Sequence, residues 1–209
     1  MNGKTKHILG ILLIAFLGIS MQSCNLNLSI DLTDAKETNE VLRAKLENHI
    51  DPQAVIFEMA LLSTADFSTD VDIITITFLA PNADEPTKYN INVAGNQEPR
   101  ETKVNTAGSQ KKQYTPEKGI KLCDMDFSKI TSNVAKAGEI LTTEGYALSG
   151  ISGYNIVMNG NPENTYHRFY TRSKAGSEYG TKHGRAAVIT NYYEFEFRAD
   201  ANGEVTVKE

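Results

Sequence analysis

AVIFEMALL, residues 54–62, obeys two periodicities at once. Its Ala, Glu, Met and Leu favour a helix, while Val55, Phe57, Met59 and Leu61 alternate with their neighbours as along a strand. The choice decides the fold, because the stretch stands between the end of a helix and sequence that is plainly strand-like. Upstream, Asp34 with Glu37 three positions later can form a capping box, and Leu42, Leu46 and Ile50 fall on one helical stripe. That helix ends near Ile50, since Asp51 precedes Pro52 and the residue before a proline is pushed out of the helical region. Downstream, VDIITITFL (71–79) is β-branched, with Ile74, Ile76 and Phe78 on one face. The turn PNADEP then leads into TKYNINV, where Tyr89, Ile91 and Val93 alternate with Lys88, Asn90 and Asn92. Read as a strand, residues 54–62 complete a unit of one helix followed by antiparallel strands.

The same order returns after residues 94–120, a polar stretch with two prolines, three glycines and no sustained apolar period, which reads as a linker or a long exposed loop. Asp126 can cap a helix in which Phe127, Ile130, Val134, Ala137 and Leu141 recur at spacings of three and four, and Gly145 ends it. Strand-like segments follow at 146–158, 165–173, 186–198 and 204–208, with Asn202-Gly203 turning the last hairpin. The expected fold class is therefore α+β, as two helix-plus-antiparallel-sheet units over 24–93 and 121–209. Their helix starts lie 92 residues apart, an order that a tandem repeat would produce.

The N-terminus has the three parts of a secretory signal: basic Lys4 and Lys6, an apolar run from Ile8 to Ile19, and small and polar residues up to Cys24. The run of 12 residues reaches only about 18 Å as a helix, short of the roughly 30 Å hydrocarbon core, so a permanent span is not expected. Through Met21-Gln22-Ser23-Cys24 the chain resembles the bacterial lipoproteins; Ser23 fits their lipobox, and Gln22 departs from it. The resemblance implies removal of residues 1–23 and a thioether-linked diacylglyceride on Cys24, with an N-acyl chain such as palmitate. Such a lipid would anchor the chain stably, at about 0.8 kcal/mol per buried methylene. It further implies the outer membrane of a Gram-negative bacterium, because Asn25 is not the aspartate that retains lipoproteins at the inner membrane. An ordinary signal peptide with a cysteine near its end is the competing reading.

Removal of residues 1–23 leaves 19 basic side chains (21 minus Lys4 and Lys6) against 26 acidic ones, a net charge near −7. An acidic chain is a poor partner for nucleic acid. With Cys24 acylated, Cys123 has no mate for a disulfide and reads as a half-buried hydrophobe.

The helix-sheet order is similar to that of the PepSY-like and β-lactamase-inhibitor-like exported proteins, on the segments DMDFSKITSNVAKAGEIL and YYEFEFRADANGEVTVKE. That resemblance implies binding of proteins or restraint of peptidases, and it transfers no catalytic residue.

Local motifs for chemistry fail one by one. His49, His167 and His183 have no second histidine or cysteine at metal-ligand spacing, so no metal or cofactor is expected. Around Ser152, SGISG lacks the G-x-S-x-G order of a nucleophile elbow. In KAGSEYGTKHGR (174–185), Gly180 is followed by Thr181 before Lys182, which breaks a phosphate-loop pattern and leaves a hairpin loop. Asp70 with Asp72, and Asp124 with Asp126, lack the loop of an EF-hand and read as strand ends and caps. No enzyme is expected.

One surface stands out. In TYHRFYTR, Tyr166, Arg168, Tyr170 and Arg172 share a face by alternation, and in NYYEFEFR so do Tyr192, Glu194, Glu196 and Arg198. Cross-strand ion pairs on a solvated sheet explain this composition, and so does a partner-binding patch rich in Tyr and Arg. The sequence thus points to a non-enzymatic, lipid-anchored envelope protein whose sheet face takes a protein, peptide or glycan. A structural or assembly subunit of an envelope complex is the alternative.

Overall fold

The computed structural model describes residues 29–95, 97–104, 114–158, 165–182 and 185–208. Cys24 and the segment expected to be a signal lie outside them. Ile30 and Leu32 are both fully buried, and Ile30–Asp31 (β1) pairs with Asp70–Val71 (β3) in a small ribbon.

Asp34 opens the first helix, its Oδ1 accepting from the N–H of Lys36 at 2.7 Å and of Glu37 at 3.0 Å. Glu37 reaches back past the cap to Asp31, whose N–H donates to its Oε2 at 2.7 Å. A π-helical turn, Glu37–Val41, runs into α1, Leu42–Glu47, and Leu42 and Leu46 are buried. The second helix, α2 (Ser128–Thr143), buries Ile130, Val134, Ala137 and Leu141 along one stripe. It ends where Gly145 takes φ +82° and the Tyr146 N–H donates to the Leu141 carbonyl at 2.8 Å.

Residues 54–62 resolve as a strand, β2 (Val55–Leu62). It lies in an antiparallel sheet of nine strands. The others are β4 (Ile73–Leu79), β5 (Thr87–Asn92), β6 (Arg100–Lys103), β7 (Ile120–Lys121), β8 (Gly150–Val157), β9 (Tyr166–Lys182), β10 (Arg185–Ala199) and β11 (Val205–Val207). In space they run β11-β10-β9-β8-β2-β4-β5-β6, with β7 pairing the start of β2.

This corrects the expected α+β class of two helix-plus-sheet units. The chain is mostly β with two short helices, and the halves share one sheet because β2 pairs β4 on one edge and β8 on the other. The cause is the edge of β2. An apolar strand cannot leave a row of backbone donors and acceptors in water at low cost, and β8 satisfies them. The polar stretch 94–120 also contributes, supplying β6 and the first residue of β7.

Both helices and one face of the sheet bury a single core, to which Leu42, Leu46, Met59, Leu61, Ile74, Ile91, Val134, Leu141, Tyr154, Phe169 and Phe197 all belong. Phe197 lies in that core, Phe195 packs against it and on Tyr146 at 4.9 Å between ring centroids, and Tyr193 meets Tyr146 at 5.3 Å. The alternating residues turn outward. Among the described residues no helix lies on that outward face, and the loop 63–69 covers one end of it. There Gly150 permits a close approach, since a Cβ would come within 2.7 Å of Phe67 Cα.

Residues 174–185 are not a simple hairpin loop. β9 continues to Lys182 and β10 returns from Arg185, whereas β8 stops pairing at Arg172. Past a bulge at Asn191/Tyr192, the hairpin projects as a two-stranded arm about 25 Å long at roughly 3.3 Å per residue. Tyr179 is 94% exposed at its outer part, opposite Val188 at 60%.

Candidate functional site

Tyr166, Arg168, Tyr170 and Arg172 stand along β9 on the outward face, as the alternation predicts. The next strand brings its own row into register: Arg172 faces Glu194, Tyr170 faces Glu196, and Arg168 faces Arg198. Aromatic rings and guanidinium groups interleave across the rows. Arg198 stacks on Tyr166 at 4.5 Å, Arg172 on Tyr192 at 4.8 Å, and Arg168 on Tyr170 at 5.7 Å. Each such contact contributes about 0.5–1 kcal/mol at an exposed site and holds two long side chains in place.

The two ends of the face differ in charge. Arg172 donates to Asp66 Oδ1 at 2.7 Å and to Glu194 Oε1 at 3.1 Å. Burial alone would pull its guanidinium down, but Glu194, Tyr192 and Asp66 together hold it above the ordinary value. Asp66, from the 63–69 loop, has no signal in the sequence around Arg172, 106 residues away. At the other end, Glu196 meets Arg168 at 4.0 Å and Lys208 at 3.3 Å, and Arg198 stands beside them.

A second site lies beneath the sheet. Asn133 of α2 donates through Nδ2 to the Tyr154 hydroxyl at 3.0 Å, and that hydroxyl meets His167 Nδ1 at 2.8 Å. With the phenol oxygen accepting from Asn133, its proton goes to Nδ1, which places the imidazole proton on Nε2. Burial pushes His167 down to about 4, with Lys129 acting in the same direction and Asp126 against it. Burial also raises the Tyr154 hydroxyl, against the pull of Asn133. The imidazole is thus neutral at neutral pH. It lines a cavity of about 70 Å³ together with Asp124, Asp126, Lys129, Ile156 and Met158, room for a few waters. His183 lies outside the described residues. The sequence holds no local trace of this chain, because its three members come from a helix and two strands.

Cys123 is exposed rather than half-buried, with its Sγ 3.6 Å from Gln53 Nε2. Among the described residues no group of three or more His, Cys, Asp or Glu could hold a metal. No described helix is long and apolar enough to cross a membrane.

No family model matches the chain, and no curated protein matches it. Among solved structures it is similar to a protein from Clostridium difficile described as a "putative lipoprotein". The two share 13% identity at a TM-score of 0.42, over 88% of this chain and 95% of that one. A likeness of that degree carries no conclusion about this chain.

Proposed function

We propose that this is a non-enzymatic cell-envelope protein, anchored by lipid on Cys24 to the outer membrane of a Gram-negative bacterium, that binds a protein, peptide or glycan partner. The observation that carries the binding reading is the outward face itself. Three stacked Tyr–Arg pairs stand there on paired strands, with no described helix over them. Side chains already held in place lose little freedom on binding, which is how Tyr and Arg come to dominate interfaces. The MQSC pattern after the Ile8–Ile19 run supports the anchor. At neutral pH the buried His167 is neutral, and its Nδ1 is taken up by the Tyr154 hydroxyl.

The test has two arms. Cys24→Ala is expected to move the protein from the membrane fraction to the soluble fraction and to abolish labelling by a palmitate analogue. Changing Tyr166, Arg168, Tyr170 and Arg172 together to alanine is expected to remove the partner from pull-downs of envelope extract. An unchanged set of captured proteins sinks the sheet-face reading.

The second reading, an assembly subunit, draws support from the projecting arm with its exposed Tyr179 and Val188. It predicts comigration with a large complex in native gels, where a free binding module runs alone.

A further inference from the structure

Resting on the sheet-face reading, we infer that the partner is an acidic polypeptide, and that its carboxylates are received between Arg168 and Arg198. The two arginines are direct cross-strand partners, so their Cβ atoms lie about 5 Å apart on one face. Like charges placed opposite each other destabilise a sheet. Here the repulsion is poorly relieved. Lys208 adds a third cation and shares with Arg168 one carboxylate, Glu196, at 3.3 Å from Lys208 and a loose 4.0 Å from Arg168. Among the described residues Arg198 has no ion pair, and its guanidinium lies over the Tyr166 ring.

The opposite end of the same two strands provides the contrast. Arg172 has two carboxylates, at 2.7 and 3.1 Å, and is 19% exposed, whereas Arg168 is 48% exposed. The fold therefore neutralises one arginine and leaves a pair of them open. Two guanidinium forks side by side match carboxylates, each of which can accept two hydrogen bonds from a fork. Their stacking on Tyr166 and Tyr170 fixes the forks before any ligand arrives.

Peptide carboxylates fit better than an acidic sugar. A sugar ring binds by lying flat on an aromatic face, and Arg198 and Arg168 already lie over the Tyr166 and Tyr170 rings.

The test uses the full-length chain in neutral detergent micelles and three probes: a fluorescent octaglutamate peptide, a galacturonate oligomer of matched charge, and octalysine. Octaglutamate is expected to bind, more weakly as salt rises, and Arg168→Gln with Arg198→Gln is expected to weaken it at least tenfold. The control, Lys88→Gln with Arg100→Gln, removes the same charge from the far edge of the same sheet and is expected to change affinity less than twofold. Equal losses in the two double variants overturn the proposal in favour of non-specific attraction. Tighter binding of galacturonate than of octaglutamate overturns the peptide assignment. The arginine double variant is also expected to keep its fold, since it loses two exposed ring contacts while a repulsive pair is removed. If it still captures the envelope partner while the four-alanine variant does not, the acidic-peptide inference fails and the sheet-face reading stands.

Discussion

Leu61→Ala is expected to cost about 2–5 kcal/mol of stability, the range for deleting a buried leucine side chain, and to weaken both halves of the molecule together. Leu61 is fully buried near the end of β2. It stands opposite Ile74 on one neighbouring strand and Tyr154 on the other, so the cavity opens at the seam between the halves. In urea the variant should unfold in one transition with a lowered midpoint and an unchanged slope. Hydrogen exchange read separately over 30–93 and 121–208 should show protection falling in both. Two transitions, with 121–208 keeping wild-type protection, would restore the picture of separate units.

The second large effect comes from acid. His167 is 3% exposed and is held at about 4 against an ordinary 6.5. Between those values the unfolded chain binds a proton that the folded chain refuses, so stability rises with pH through this window and is lost as pH falls. The gap of 6.5 − 4, at about 1.4 kcal/mol per pH unit, makes the loss about 3 kcal/mol by pH 4. His167→Gln keeps a polar partner for the Tyr154 hydroxyl and removes the titration. Urea midpoints taken from pH 7 to pH 4 should therefore fall more steeply in wild type than in the variant. Parallel curves would mean that the imidazole reaches water in the folded state.

What the sequence displayed was local. Alternation along TYHRFYTR put Tyr166, Arg168, Tyr170 and Arg172 on one face because the pleat has a period of two, and Asp34 announced the first helix because a cap acts over three residues. Phe197 and Phe169 belong to the core for the same reason. What stayed hidden was contact between distant segments. Nothing in AVIFEMALL says that Glu58 will face Val157, and nothing near Arg172 names Asp66. The Asn133–Tyr154–His167 chain was equally silent, since no spacing rule links a helix residue to two strands. The arm was misjudged from its glycines: Gly176 and Gly180 read as loop, yet a two-stranded ribbon accepts glycine at a bulge and at its thin outer part.

The pairing of β2 with β8 also sets a clock. Glu58 and Val157 are 99 residues apart (157 − 58), and a ribosome adding roughly 5–20 residues per second needs about 5–20 s to make that interval. Throughout it the earlier strands can fold against one another, while the far edge of β2 stays open beside Met59 and Leu61. Until β8 arrives, the open edge of β2 is therefore where the incomplete chain is most at risk of sticking to its neighbours.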